Sequence, residues 1–172
     1  MLIAGGLKSG ISAILGEISM RQSSFAFAAA TATTLLWSAA AIGAQQLGTA
    51  DEAKAMLDQA VTAVKADKAA ALAQFNDKSN KQFHEHDLYV FCFNTTDGHT
   101  VAHPNPALID TDIRAFNFNG DPIGQRLFDG AKGPNQTAVD YLFPKSGTTK
   151  PVPKESFVTR IGELACGVGY YK

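Results

Sequence analysis

The run Leu88–Phe93, LYVFCF, is apolar at every position. Successive strand residues face opposite sides of a sheet, so such a strand must be covered on both faces, as a central strand is. The following NTTDG supplies a turn and HTVAH a return strand, which makes a hairpin. The return strand then meets His103-Pro104-Asn105-Pro106. Proline has no N–H to give a ladder, so Pro104 ends the pairing, and Asn105-Pro106 reads as the cap and first residue of a short helical turn. The chain is thereby redirected across the sheet, with His103 at the junction.

The remaining elements follow from periodicity. TADEAKAMLDQAVTAVKADKAAALAQF is built of helix formers, and Thr49 with Glu52 makes a capping box. Ala53, Met56, Leu57, Ala60, Val64, Leu72 and Phe75 recur at three- and four-residue steps, so one long helix with a single apolar stripe is expected, packed along the domain. Asp121-Pro122 opens a second helix, PIGQRLFDGAK. Three strands close the chain: TAVDYLFP, KESFVTRIG and ACGVGYYK. One long helix, two strands, short helices and three strands indicate an α+β domain with helices on a five-stranded antiparallel sheet.

Composition limits what such a domain does. With 172 residues, 45% hydrophobic and 18% charged, the chain has material for one core. A net charge of −1 with scattered signs gives no basic stripe for nucleic acid and no cationic patch for anionic lipid. The segment from Met20, MRQSSFAFAAATATTLLWSAAAIGAQ, has one Arg, an apolar Ala- and Leu-rich run and small residues up to Ala44, the layout of a secretory signal peptide. A retained membrane anchor is the weaker reading, because the run contains several Thr and Ser and a charged segment follows. Residues 1–19 read as an upstream extension, with Met20 as the start. Residues 45–172 are the expected mature domain, periplasmic and not inserted in the membrane once the signal is removed. Cleavage takes away Lys8, Arg21 and Glu17 and leaves 13 basic and 15 acidic side chains. In an oxidising compartment Cys92 and Cys166 are more often a disulfide than two buried thiols, provided their strands are neighbours.

DLYVFCFNTTDGHTVAHPNPALIDTDI, AVDYLFPKSGTTKPVPKESFV and CGVGYYK together resemble single Cache domains, the PAS-like extracytoplasmic sensor modules of bacterial chemoreceptors and histidine kinases. The resemblance spans Thr49 to Lys172. It implies a pocket for a small ligand between the sheet and the segment crossing it, a short organic acid of two to four carbons being expected, and no cofactor. The usual module is tethered to a cytoplasmic signalling domain. Here the sequence stops at Lys172, so a stand-alone periplasmic form is expected, presenting its ligand to a membrane receptor or histidine kinase. The other reading is an interaction module that docks on a membrane sensor or envelope complex and keeps only a degenerate pocket.

Five residues are expected at the ligand. His103 sits where a pocket would have its floor, able to donate from one ring nitrogen and, when protonated, to add charge. Lys154 is the cation that the resemblance points at a carboxylate, although a Lys at a strand start is ordinarily solvated. Ser156 shares its strand face, and the resemblance puts Tyr141 at the pocket edge. Arg114 offers the bidentate fork that carboxylates prefer, against the commoner case of a surface Arg. HEHD with His99 and His103 is a weak zinc pattern. No Ser or Cys lies in a nucleophile motif, so no enzymatic activity is expected.

Overall fold

The computed structural model describes residues 46–172. The signal-peptide segment and the upstream extension lie outside the described residues. Helix α1 runs Ala50–Ala66 with the expected capping box at Thr49 and Glu52. The single long helix is corrected at Asp67, which leaves helical geometry and caps a second helix, α2 (Lys68–Asn76), by accepting from the Ala70 N–H at 3.0 Å. The stripe explains the break. Val64 is buried, and a straight helix would turn Asp67 or Lys68 inward one turn later. With the kink, Ala71 and Phe75 are buried and Leu72 only half-buried.

The strands are β1 (His84–Glu85), β2 (Leu88–Asn94), β3 (Thr100–Ala102), β4 (Thr137–Pro144), β5 (Pro151–Ile161) and β6 (Leu164–Tyr171). Their order is β1-β2-β6-β5-β4, all antiparallel, with β3 also on β2. The five expected strands are present. The sixth, β1, is a two-residue piece that shares the outer edge of β2 with β3. β2 is buried on both faces as its composition requires, but β6 rather than β2 holds the middle of the sheet.

One face packs under α1 and α2 through Val90, Cys92, Phe157, Cys166 and Val168. Cys92 and Cys166 stand opposite each other in the β2–β6 register and are joined as a disulfide. The other face, with Phe91, Phe93, Val139 and Val158, is covered by the chain between β3 and β4. That segment makes 3-10 turns at Pro106–Leu108 and Ile113–Ala115 and then helix α3 (Ile123–Gly130). Asn105 caps the first turn as expected, accepting from the Ala107 N–H at 3.1 Å. A Cβ at Gly124 would run into the Ile113 carbonyl, so glycine is what lets α3 close against the second turn.

Candidate functional site

Strand register assembles the site. Lys154 of β5 pairs with Tyr171 of β6 on one side and Tyr141 of β4 on the other, so the three side chains share the face below the crossing segment. Ser156 and Val139 form the next row with Gly169. Between this face and the crossing segment is a cavity of about 340 Å³. Tyr89, Phe91, Tyr141, Phe143 and Lys154 line it from the sheet, and His103, Ile113, Phe116 and Leu127 from the crossing segment.

Lys154 is 3% exposed. It is not at the start of its strand, as the sequence suggests, because β5 begins three residues earlier at Pro151. Its ammonium lies over the rings of Tyr171 (4.4 Å), Tyr89 (5.2 Å) and Phe143 (6.0 Å). Aromatic faces offset part of the cost of burying the charge, but among the described residues no carboxylate comes within ion-pair distance. Burial pulls the amine down to about 8, against the opposing charge of Asp87. The result is a half-compensated cation facing a cavity, which an anion would complete.

His103 accepts the Asn105 N–H on Nδ1 at 2.9 Å. The proton of the neutral ring therefore sits on Nε2, which is free to donate. Burial holds the ring's pKa down to about 4, with Lys154 adding to the effect, so the protonated imidazole envisaged from the sequence is corrected to a neutral donor. The backbone N–H of His103 donates to Asn76 Oδ1 at 3.0 Å, and its ring meets Tyr89 edge-on at 5.3 Å. It thus anchors the Pro turn and lines the cavity at once.

Residues 52–171 match the family model described as Cache domain. The chain belongs to the Cache domain family. Among solved structures, it is similar to a periplasmic sensor domain of a chemotaxis protein, 26% identical with a TM-score of 0.53 over 70% of this chain and 88% of that one. A methyl-accepting chemotaxis protein from Vibrio parahaemolyticus is 21% identical, with a TM-score of 0.56 over 70% and 86%. A Cache chemosensory domain described for carboxylic acid recognition is 20% identical, with a TM-score of 0.52 over 70% and 86%. The last two likenesses bear on the fold alone. Among curated proteins, none matches.

Within this Cache domain, His103, Lys154 and Tyr141 come to the cavity, and Ser156 stands directly behind it, fully buried, with its Oγ 2.7 Å from the Tyr141 hydroxyl. Arg114 does not come to it. Its guanidinium is taken by Asp112 through Nε at 2.9 Å and Nη2 at 2.7 Å, and by the Asp97 carbonyl at 2.6 Å. The exposed pair ties the crossing segment to the Asp97-Gly98 turn. A carboxylate two residues away captures the fork before any ligand can.

Sequence reasoning missed Tyr89, Phe143 and Tyr171, which surround the ammonium, and Gly169. A Cβ on Gly169 would stand 2.5 Å from Ser156 Oγ and 2.9 Å from Lys154 Cε, so its absence gives Lys154 and the Tyr141–Ser156 pair their place on the sheet. The GVG in the closing strand is the only sequence sign of it. Asp87 was also missed. Its Oδ1 accepts the Gly48 N–H at 2.6 Å just before α1, while its buried Oδ2 has no hydrogen-bond partner among the described residues. Among the described residues, no group of three His, Cys, Asp or Glu forms a metal cluster, and no helix is long and apolar enough to cross a membrane.

Proposed function

We propose that this Cache domain is an extracytoplasmic sensor module that binds a small organic acid and presents it to a membrane chemoreceptor or histidine kinase. The ligand carboxylate sits against Lys154, with Nε2–H of His103 and the hydroxyl of Tyr141 completing its hydrogen bonds and Ser156 orienting that hydroxyl. The observation that carries this is the Lys154 ammonium, buried beside a cavity with no carboxylate of the described residues within ion-pair distance. A degenerate packing module would fill such a cavity with its own aromatic rings. Here the rings stand around about 340 Å³ of space.

The exported form begins near Gln45, after cleavage following Ala44, and is periplasmic. Intact mass of material expressed from Met20 tests that step: an uncleaved cytoplasmic chain would overturn it. Calorimetry with a panel of carboxylates, beginning with acetate, propionate and butyrate, tests the ligand class. Saturable binding that Lys154→Met abolishes is expected, and a panel in which no carboxylate binds would overturn the assignment.

A further inference from the structure

The cavity has one charged pole and an otherwise uncharged, mostly apolar lining. Of its 13 lining residues, eight are aliphatic or aromatic, four are neutral and polar (Thr100, His103, Asn105 and Thr111), one is the cation Lys154, and none is Asp or Glu. This asymmetry restricts the ligand beyond the presence of a carboxylate. A second carboxylate would find no second cation on this lining, only neutral groups such as Thr100, Asn105 and Thr111, which disfavours diacids. An α-ammonium group would meet no acid either, since Asp87, whose charge reaches Lys154, does not line the cavity. The rings nearest the pole already hold the Lys154 ammonium, so a second cation there would face like charge.

Size points the same way. At about 30 Å³ for each water-sized group, and less for covalently bonded atoms, 340 Å³ accommodates at least about eleven non-hydrogen atoms. A two- to four-carbon acid would fill about half of this and leave the apolar wall unmatched. Five of the lining residues are aromatic: Tyr89, Phe91, Phe116, Tyr141 and Phe143. Rings pack against rings in edge-to-face and offset arrangements that a linear chain cannot reproduce.

Resting on the carboxylate reading above, we propose that the ligand is a monocarboxylate with an aryl body and no amino group, of about ten or more non-hydrogen atoms, an arylalkanoic acid. Lys154 holds its carboxylate, and its ring lies toward Phe91, Phe116 and Leu127.

Calorimetry on the protein with phenylacetate, 3-phenylpropionate, propionate, succinate, phenylalanine and phenylacetamide tests the proposal. The two aryl acids should bind at least about tenfold more tightly than propionate, since the added apolar area is buried only in them. They should also exceed phenylalanine, succinate and phenylacetamide by about tenfold or more, because each of these either adds an unpaired charge or lacks the anion. If propionate binds as tightly as phenylacetate, the aryl class is wrong while the carboxylate reading stands. Tightest binding by phenylalanine or succinate overturns the proposal, since the cavity would then be supplying a countercharge it is argued to lack. If phenylacetamide matches phenylacetate, or if Lys154→Met binds phenylacetate as the parent does, the carboxylate reading itself fails.

Discussion

Tyr141 Oη and Ser156 Oγ lie 2.7 Å apart on neighbouring strands, diagonal to each other across the β4–β5 register. Burial pushes the Tyr141 phenol well above its ordinary range, so it is a donor at every physiological pH. Ser156 is wholly buried and has this one side-chain partner among the described residues. If Ser156 donates to Tyr141, the phenol proton is left to point at the ligand.

The pair should behave as a unit in a double-mutant cycle. Tyr141→Phe is expected to cost about 1 kcal/mol of carboxylate affinity and, by stranding the Ser156 hydroxyl, about 1–3 kcal/mol of stability. Tyr141→Phe combined with Ser156→Ala should recover part of the stability loss, because neither partner is then left unpaired. Urea midpoints of the four proteins measure the coupling. Strict additivity would show that the 2.7 Å contact does not govern either side chain.

The two basic groups predict a particular pH profile. His103 is neutral above about 4 and Lys154 loses its proton near 8 in the free protein. Carboxylate affinity should therefore be level between about pH 5.5 and 7 and fall toward tenfold per unit above 8, as the free cavity loses its cation. Asp87→Asn removes the charge that supports Lys154 and should move the fall to lower pH. Calorimetric titrations at several pH values read this directly. A break near 6.5 would mean that His103 rather than Lys154 carries the charge.

Binding and stability should respond in opposite directions at Lys154. Its folded pKa lies below the value of 10.5 for the free side chain, so the unfolded chain holds the proton more tightly. The cost of burying the charge is fully present below pH 8 and disappears as pH rises through 10.5. Lys154→Met is expected to raise stability at pH 7 by about 1–3 kcal/mol, partly offset by the lost contacts with Tyr89 and Tyr171, while it abolishes carboxylate binding. The gain should shrink at pH 10. A variant less stable than the parent at pH 7 would show that the aromatic cage more than offsets the burial of the charge.

How much of this was legible in the sequence depended on how far each cause acts along the chain. The Thr49–Glu52 box and the Asn105 cap are contacts within three residues, and both form as read. The strands were visible because alternation and turn residues are local. The break at Asp67 was not, because AVKADKAAALA contains no Gly or Pro; only the face buried by Val64 makes a straight helix untenable. Arg114 was misjudged for the opposite reason, since the Asp112 that takes its guanidinium lies only two residues away. The aromatic cage joins β2, β4, β5 and β6, and nothing short of the register places Tyr89, Phe143 and Tyr171 around one ammonium. The Cys92–Cys166 disulfide needed a compartment and a strand neighbour, and the β2–β6 pairing supplies the second.

Gly169 gives the last test, because it separates the shape of the site from its charge. Adding a methyl group at this position puts Cβ 2.5 Å from Ser156 Oγ and 2.9 Å from Lys154 Cε. The lysine chain can swing away, but the serine hydroxyl has one short bond to move about, so the Tyr141–Ser156 contact must break. Its backbone lies in an ordinary strand, so alanine brings no conformational strain of its own, and the protein should remain folded with the disulfide intact. Gly169→Ala is expected to weaken carboxylate binding by at least about tenfold, comparable to loss of a charged hydrogen bond, without changing the net charge of the cavity. Calorimetry beside a far-UV spectrum checks both halves of this. Unchanged affinity in a folded Gly169→Ala protein would mean that the ligand does not depend on Lys154 and Tyr141 being held where they are.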